Sequence, residues 1–97
     1  MPSYIILMKL TDQGAKAIKE APARIEAGMK AWEGMGGKIH GFYVVLGEYD
    51  YVAVGEGPSD EAAATFALAL GSLGNVKTTT LRAFTKEEFA ELVKKLP

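Results

Sequence analysis

The order of apolar and polar positions along the chain predicts strands that alternate with helices. Residues 3–10 form a near-continuous apolar run, which favours a β-strand. Residues 38–46 and 49–56 have the same character, and the threonine-rich stretch 75–84 has high β propensity. These segments predict four strands, of which the second and third are joined by a tight two-residue hairpin turn.

Helical signals fill the intervals between these strands. Pro22 is tolerated in the first turn of a helix, so a helix is expected to begin near Ala21 and to end at Gly36. Residues 11–22 leave its start open, as one kinked helix or as two pieces. A second helix is expected over residues 60–73.

The C-terminal helix has the sharpest local signal. Thr85 and Glu88 have the spacing of a capping box, and Phe84 and Phe89 have the spacing of a hydrophobic staple. Apolar residues then recur along one side of the helix. They are Phe89, Leu92, Val93 and Leu96.

The element order is β-α-β-β-α-β followed by a helix, which matches the ferredoxin-like arrangement. We expect an α+β fold with a four-stranded antiparallel sheet, strands 1 and 3 at its centre, and both main helices on one face. A chain of 97 residues has room for one hydrophobic core, so residues 1–97 are expected to form a single domain.

Both faces of the expected sheet are apolar. With Gly47 and Glu48 as the two turn residues, alternation separates the side chains of strands 2 and 3 into two sets. One set is rich in aromatic residues and shares its face with His40: Phe42, Val44, Leu46, Tyr49, Tyr51 and Ala53. The other set is mainly aliphatic and is expected to pack against the helices: Ile39, Tyr43, Val45, Val52 and Val54.

A sheet with helices on one face normally has a polar second face. Here the second face would expose a large apolar area, and residues 62–74 of the second helix contain no charged residue. The simplest cover is another copy of the chain, so we expect a homodimer or a higher oligomer.

Composition and charge exclude several function classes. The net charge of −1 argues against a nucleic-acid partner, which requires a basic surface. The chain has no cysteine and one histidine, which excludes disulfides, thiolate zinc and polyhistidine metal sites. No apolar run approaches the ~20 residues of a membrane span, and the start of the chain lacks the basic region of a signal peptide. We expect a cytoplasmic protein without a metal, a cofactor or a membrane partner.

His40, the single histidine, has two interpretations. It could act as a general acid or base, or as a single haem ligand. Alternatively, it is a strand-end histidine that is hydrogen-bonded to a neighbour or to water. No serine or carboxylate spacing supports a catalytic triad around it, which favours the second interpretation.

The segment from Gly47 to Tyr51 is the densest cluster of polar and aromatic residues. Glu48 and Asp50 could bind a ligand amine or act as an acid–base pair, with Tyr49 and Tyr51 as pocket walls. Alternatively, Gly47 makes the turn and Asp50 accepts backbone amides near it. The candidate ligand-binding residues are His40, Glu48, Tyr49, Asp50 and Tyr51.

The residues LGEYDYVAV at 46–54 resemble the signature of the GYD-domain family, with Gly47, Tyr49 and Asp50 at the name-giving positions. The resemblance implies a ferredoxin-like monomer that pairs through its sheet as a dimeric α/β barrel, and it implies no particular activity. The same segment resembles, more weakly, the ligand-sensing domain of feast/famine transcription regulators, without their helix-turn-helix half. Further stretches similar to the GYD-domain family lie at 10–14, 36–50 and 64–84.

Three functions are compatible with these observations. The first is a homo-oligomeric module that binds or senses a small molecule, because an aromatic surface with few polar groups is typical of a pocket. The second is a small cofactor-independent or haem-using enzyme of the monooxygenase or isomerase type, with His40 or Asp50 transferring protons. The third is a structural or regulatory subunit without a ligand.

Overall fold

A computed structural model describes residues 1–97 and contains one four-stranded sheet and four helices. A short 3₁₀ turn over Ile18–Glu20 separates the first two helices. None of the helices is long and apolar enough to cross a membrane. The elements are β1 (Ser3–Leu10), α1 (Asp12–Lys16), α2 (Ala21–Gly34), β2 (Lys38–Val44), β3 (Tyr51–Glu56), α3 (Asp60–Ser72), β4 (Val76–Ala83) and α4 (Lys86–Lys94).

The sheet has the strand order β2-β3-β1-β4, and every neighbouring pair is antiparallel. This confirms the predicted α+β, ferredoxin-like arrangement with β1 and β3 at the centre. The ambiguous segment before α2 forms two separate pieces. Thr11 caps α1 by accepting a hydrogen bond from the Gly14 amide, and α2 begins at Ala21 with Pro22 in its first turn.

The β2–β3 hairpin has the predicted register but not the predicted turn. Val44 pairs with Tyr51, and Phe42 pairs with Ala53. The strands stop there, and a hydrogen bond from the Val45 amide to the Asp50 carbonyl, 2.9 Å long, closes a wider loop. The expected two-residue turn at Gly47 and Glu48 is therefore wrong. Gly47 has a φ of +110°, a conformation that L side chains rarely adopt.

A β-bulge at His40 changes which side chains of β2 share a face. Ile39 pairs with Gly55, whereas Gly41 pairs with Val54, so His40 is the extra residue. Upstream of the bulge the alternation is inverted. Ile39 packs against the core, and His40 lies on the opposite side from Phe42. The expectation that His40 shares a face with Phe42 and Val44 is wrong for this reason.

The helix-covered face of the sheet holds the aromatic set, contrary to the sequence-based expectation. Tyr51 is buried in the core with Tyr4, Ile6 and Met8 of β1, and Phe42 packs against the same cluster. The aliphatic residues Val52 and Val54 lie on the other face. The physical reason is that α3 is rich in small alanines, so large rings from the sheet fill the space beneath the helices.

An aromatic cluster joins the helices to the sheet. The Trp32 ring of α2 lies 5.1 Å from the Phe66 ring of α3 and 6.3 Å from the Tyr4 ring of β1, with an edge-on geometry to Tyr4. The Tyr4 hydroxyl donates a 2.5 Å hydrogen bond to Asp60 at the start of α3. Burial, followed by this hydrogen bond, raises the pKa of Tyr4 to about 12.

Candidate functional site

The sheet surface that faces away from α2 and α3, which we call the open face, is apolar and covered by no element of the chain. Its central residues are half-buried, whereas Tyr43 and Leu81 at its sides are 59% and 44% exposed. A monomeric sheet of this kind usually has polar side chains on such a face. The open face consists of Ile5, Leu7, Tyr43, Val52, Val54 and Leu81.

The total accessible surface of the chain is large for its mass. It measures 6530 Å², whereas a folded monomer of this mass exposes roughly 5,400 Å². The excess of roughly 1,100 Å² is comparable to the ~800 Å² that each partner hides in a standard protein–protein interface. The chain therefore exposes enough additional surface for a stable interface.

Helix α4 is the second unpartnered surface. Its capping box is complete, because the Thr85 hydroxyl accepts from the Glu88 amide and the Glu88 carboxylate accepts from the Thr85 amide. The backbone hydrogen bond lowers the pKa of Glu88. The apolar side of the helix, which we call the α4 stripe, is exposed by 42–69%. The α4 stripe consists of Phe89, Leu92 and Val93, continued by Leu96 just beyond the end of the helix.

His40 lies on the β2 edge beside the open face, where it is hydrogen-bonded to a carboxylate. Its Nε2 atom lies 2.6 Å from the Glu56 carboxylate, and the Met1 amino group lies 4.0 Å from the same carboxylate. The hydrogen bond with His40 is the main cause that holds the pKa of Glu56 below its ordinary range. This contact fits the strand-end interpretation of His40.

Glu48 and Tyr49 lie at the other end of the hairpin. The Lys9 ammonium lies 3.7 Å from the Glu48 carboxylate and 5.6 Å from the centre of the Tyr49 ring. Glu48 is exposed and Tyr49 is half-buried. Both side chains therefore contact a lysine of β1 at the surface.

Asp50 forms hydrogen bonds with the backbone at the end of β1. Its carboxylate accepts a 2.8 Å hydrogen bond from the Leu10 amide, and its own amide donates a 2.9 Å hydrogen bond to the Met8 carbonyl. The side chain thus replaces a missing backbone acceptor just beyond the last residue pair of β1 and β3. This geometry agrees with the interpretation in which Asp50 accepts backbone amides.

Of the five candidates, only Tyr51 lines the cavity beneath α2 and α3, and together with Asp50 it also lines a second, more open cavity of the same volume. The cavity beneath the helices, which we call the interhelical cleft, lies between α2, α3 and the helix-covered face and has a volume of about 290 Å³. Of the 24 residues that line it, 20 are hydrophobic. Tyr51 is 6% exposed, and its hydroxyl has no hydrogen-bond partner in the chain.

The five candidate residues do not converge on one pocket. His40 lies beside the open face, Glu48 and Tyr49 lie on the hairpin surface, and Tyr51 lies in the core. Their role in ligand binding stays a prediction. No group of three or more His, Asp or Glu side chains is placed to hold a metal ion.

Two features of these surfaces were missed by the sequence reasoning. Glu56 was not recognised as the partner of His40, because a separation of 16 residues carries no local signal and the bulge moves His40 to its side. The exposure of α4 was also missed, since the apolar spacing of an amphipathic helix predicts a buried side without saying what buries it.

The chain belongs to the GYD domain family, which it matches over residues 4–93. It is also 40% identical over 84 residues to a protein of Thermus thermophilus named "Glutamine synthetase and cystathionine beta-lyase binding protein". The matched region covers 86% of this chain and 88% of that relative. The resemblance inferred from residues 46–54 is thereby confirmed.

Proposed function

We propose that this chain is a homo-oligomeric, cytoplasmic protein-binding module in which two surfaces have separate roles. The open face pairs with the open face of a second copy, and the α4 stripe docks on a partner enzyme. The observation that carries the proposal is α4: an amphipathic helix with a complete capping box at its start, whose apolar side chains are 42–69% exposed.

A second copy is the occupant that best fits the open face. A sheet face can pair with itself about a two-fold axis, which buries the same residues on both copies. The excess surface of the chain, to which the exposed α4 also contributes, is comparable with one side of such an interface. The resulting assembly is the dimeric α/β barrel that the family resemblance implies. In it, the two open faces form the apolar interior.

A partner protein is the occupant that best fits the α4 stripe. An amphipathic helix that presents apolar residues at i, i+3, i+4 and i+7 is suited to a hydrophobic groove on another protein. Glu87, Glu91 and Lys94 keep the remainder of the helix polar. The relative from Thermus thermophilus is named as a binding protein for two enzymes. We therefore propose glutamine synthetase and cystathionine beta-lyase as the partners of this chain.

The test is binding of the purified chain to each purified enzyme from the same organism, measured by surface plasmon resonance. The Phe89→Ser variant removes the centre of the α4 stripe and is expected to weaken binding at least about tenfold, as loss of an interface aromatic anchor does. Glu91→Ser is the matched control, because it places the same residue on the opposite side of the same helix. It is expected to bind within about twofold of the unchanged chain.

Circular dichroism confirms that both variants keep α4. If neither enzyme binds the unchanged chain, the partners are wrong. If Phe89→Ser and Glu91→Ser bind equally well, the enzyme does not dock on α4. Sedimentation of Phe89→Ser shows whether weaker enzyme binding arises from a changed oligomeric state or from loss of the α4 contact.

Small-molecule binding is the second candidate function, and the interhelical cleft is the observation that favours it. An enzymatic role through His40 or Asp50 has less support. The His40 imidazole is engaged by Glu56, and the Asp50 carboxylate is engaged by a backbone amide.

A further inference from the structure

The interhelical cleft exists because α2 and α3 lie apart above the sheet. Its floor is formed by the buried side chains of β1 and β3, and Trp32 and Phe66 close one end. The facing walls consist of small or flexible residues. They are Ala27, Gly28 and Ala31 on α2, and Ala69, Leu70 and Leu73 at and beyond the end of α3.

Gly28 shows that the gap between the two helices is open. A Cβ atom placed at Gly28 would meet only the Leu70 side chain, at 4.0 Å, which is an ordinary contact. Glycine in the middle of a helix is destabilising relative to alanine by about 0.5–1 kcal/mol. Gly28 thus leaves empty a position that has room for a side chain, and the cleft is wider there as a result.

The size of the interhelical cleft fits a two-ring molecule. An engineered apolar cavity of about 150 Å³ holds one benzene molecule, and the cleft has about twice that volume. It also lies at the lower end of the range of known ligand pockets, which begins at roughly 300 Å³.

The polar groups of the cleft favour an uncharged molecule. Arg24 is the only charged residue of its lining, but its guanidinium donates to the carbonyls of Ala17 and Gly14, at 2.9 and 3.5 Å. The Tyr51 hydroxyl has no hydrogen-bond partner in the chain, and its oxygen is not fully enclosed, since the one fully buried side-chain polar atom without a partner is Thr80 Oγ1. The hydroxyl is therefore free to hydrogen-bond to a molecule in the cleft.

We propose that the interhelical cleft binds an uncharged, mainly apolar molecule of two-ring size, with one hydrogen-bonding group directed to the Tyr51 hydroxyl. This site is distinct from the open face and from the α4 stripe. It requires neither a second copy nor a partner enzyme.

The test uses 2-naphthol as the probe and the Trp32 indole N–H as the reporter. Trp32 is the single tryptophan and lines the cleft, so it gives one indole cross-peak in a ¹⁵N-correlation spectrum. Addition of 2-naphthol is expected to shift this peak saturably. Replacement of Gly28 by leucine fills the cleft and is expected to weaken binding at least about tenfold.

Gly34→Leu is the matched control. It makes the same replacement in the same helix, at a position where a Cβ atom meets nothing within 4 Å and which does not line the cleft. It is expected to bind within about twofold of the unchanged chain. Ala69→Leu, on the facing helix, is the second filling variant if Gly28→Leu does not fold.

Two further measurements define the ligand class. Tyr51→Phe is expected to weaken 2-naphthol binding by about three- to tenfold, because it removes the hydrogen bond to the probe. The anion 2-naphthoate has the same rings and is expected to bind at least about tenfold more weakly than 2-naphthol, because the cleft offers no free countercharge.

The proposal is overturned if the Trp32 peak shows no saturable shift with 2-naphthol, or if the filling variants and Gly34→Leu bind equally well. Equal binding of 2-naphthoate overturns the uncharged ligand class. The Phe89→Ser variant is expected to bind 2-naphthol normally.

Discussion

The two faces of the sheet differ in how their apolar side chains are covered. Both are apolar, because β1 and β3 alternate between two kinds of hydrophobic side chain. The helix-covered face holds Tyr4, Ile6, Met8 and Tyr51, which are 3–7% exposed. The open face holds the aliphatic neighbours of these residues, which remain half-buried. One face finds its partner within the chain, and the other has none there.

This difference shows that alternation alone does not tell the inside of a sheet from its outside. In an ordinary antiparallel sheet, polar residues mark the solvent face. When both sets are apolar, the side that the helices cover depends on how well the side chains fit beneath them. Here the Trp32 ring of α2 meets the Tyr4 ring of the sheet edge-on and packs at a tilt on Phe66 of α3, and the aromatic set is the one enclosed.

The largest expected effect is on the covered side. Trp32→Ala is expected to lower the free energy of unfolding by about 3 kcal/mol or more, because it removes the ring that joins α2 to Phe66 and Tyr4. Tyr43→Ala on the open face is the counterpart, since its ring is 59% exposed and lies over Gly41. It is expected to cost less than about 1 kcal/mol within one chain. Urea unfolding followed by far-ultraviolet circular dichroism measures both, and equal losses would contradict the distinction between the faces.

The second prediction concerns the association of two open faces. Val52 lies on central strand β3 opposite Leu7, so Val52→Lys places a charge in the middle of the proposed interface. An unpaired buried charge costs about 3–5 kcal/mol, which is expected to weaken dimerisation at least about a hundredfold. Ala64→Lys adds the same charge on an exposed position of α3 and is expected to leave the dimer intact.

Analytical ultracentrifugation distinguishes these outcomes. A dimer of the unchanged chain and of Ala64→Lys, together with a monomer of Val52→Lys, is the expected result. A monomer of the unchanged chain at micromolar concentration would mean that the open face has no second copy as its partner.

The smallest expected effect is the pH dependence of the His40–Glu56 contact. The lowered pKa of Glu56 means that its stabilising contribution is present above its ordinary value of 4.5 and is lost as the pH falls through the folded-state value. Glu56→Gln is expected to reduce the loss of stability on acidification, whereas Glu33→Gln on the exposed side of α2 is not. The slope of stability against pH is measured from urea midpoints between about pH 2.5 and 6.

This slope also reports on the open face. If a second copy covers it, the His40–Glu56 contact loses water and the slope is expected to be steeper in the dimer than in the Val52→Lys monomer. Equal slopes would place the contact outside the interface.

The local structure of the chain was predictable where short-range rules determine it. The capping box of Thr85 and Glu88 and the first turn at Pro22 are satisfied by neighbours in sequence. The predicted register of Phe42 with Ala53 is confirmed, although the turn that suggested it is wider than two residues. Of the candidate site residues, Asp50 has the backbone-binding role that its position next to a turn predicts.

The candidate site was less predictable, because its geometry depends on contacts between distant segments. The bulge at His40 follows from the fit of β2 to β3 and separates His40 from the face of Phe42. The cleft beside Tyr51 depends on the spacing of α2 and α3, which no single helix pattern encodes. Glu56 becomes the partner of His40 only when the two strands pair.

The sequence by itself determined the element order, the strand pairing that follows from it and the family, because these depend on local propensity and on residue identity. Only the tertiary structure decided which apolar face the helices cover, where α4 projects and which candidate residues meet. Hydrophobic attraction is non-directional, so a sequence rich in apolar positions on every side does not state which of them will be buried together. That choice is made by the packing of whole elements against one another.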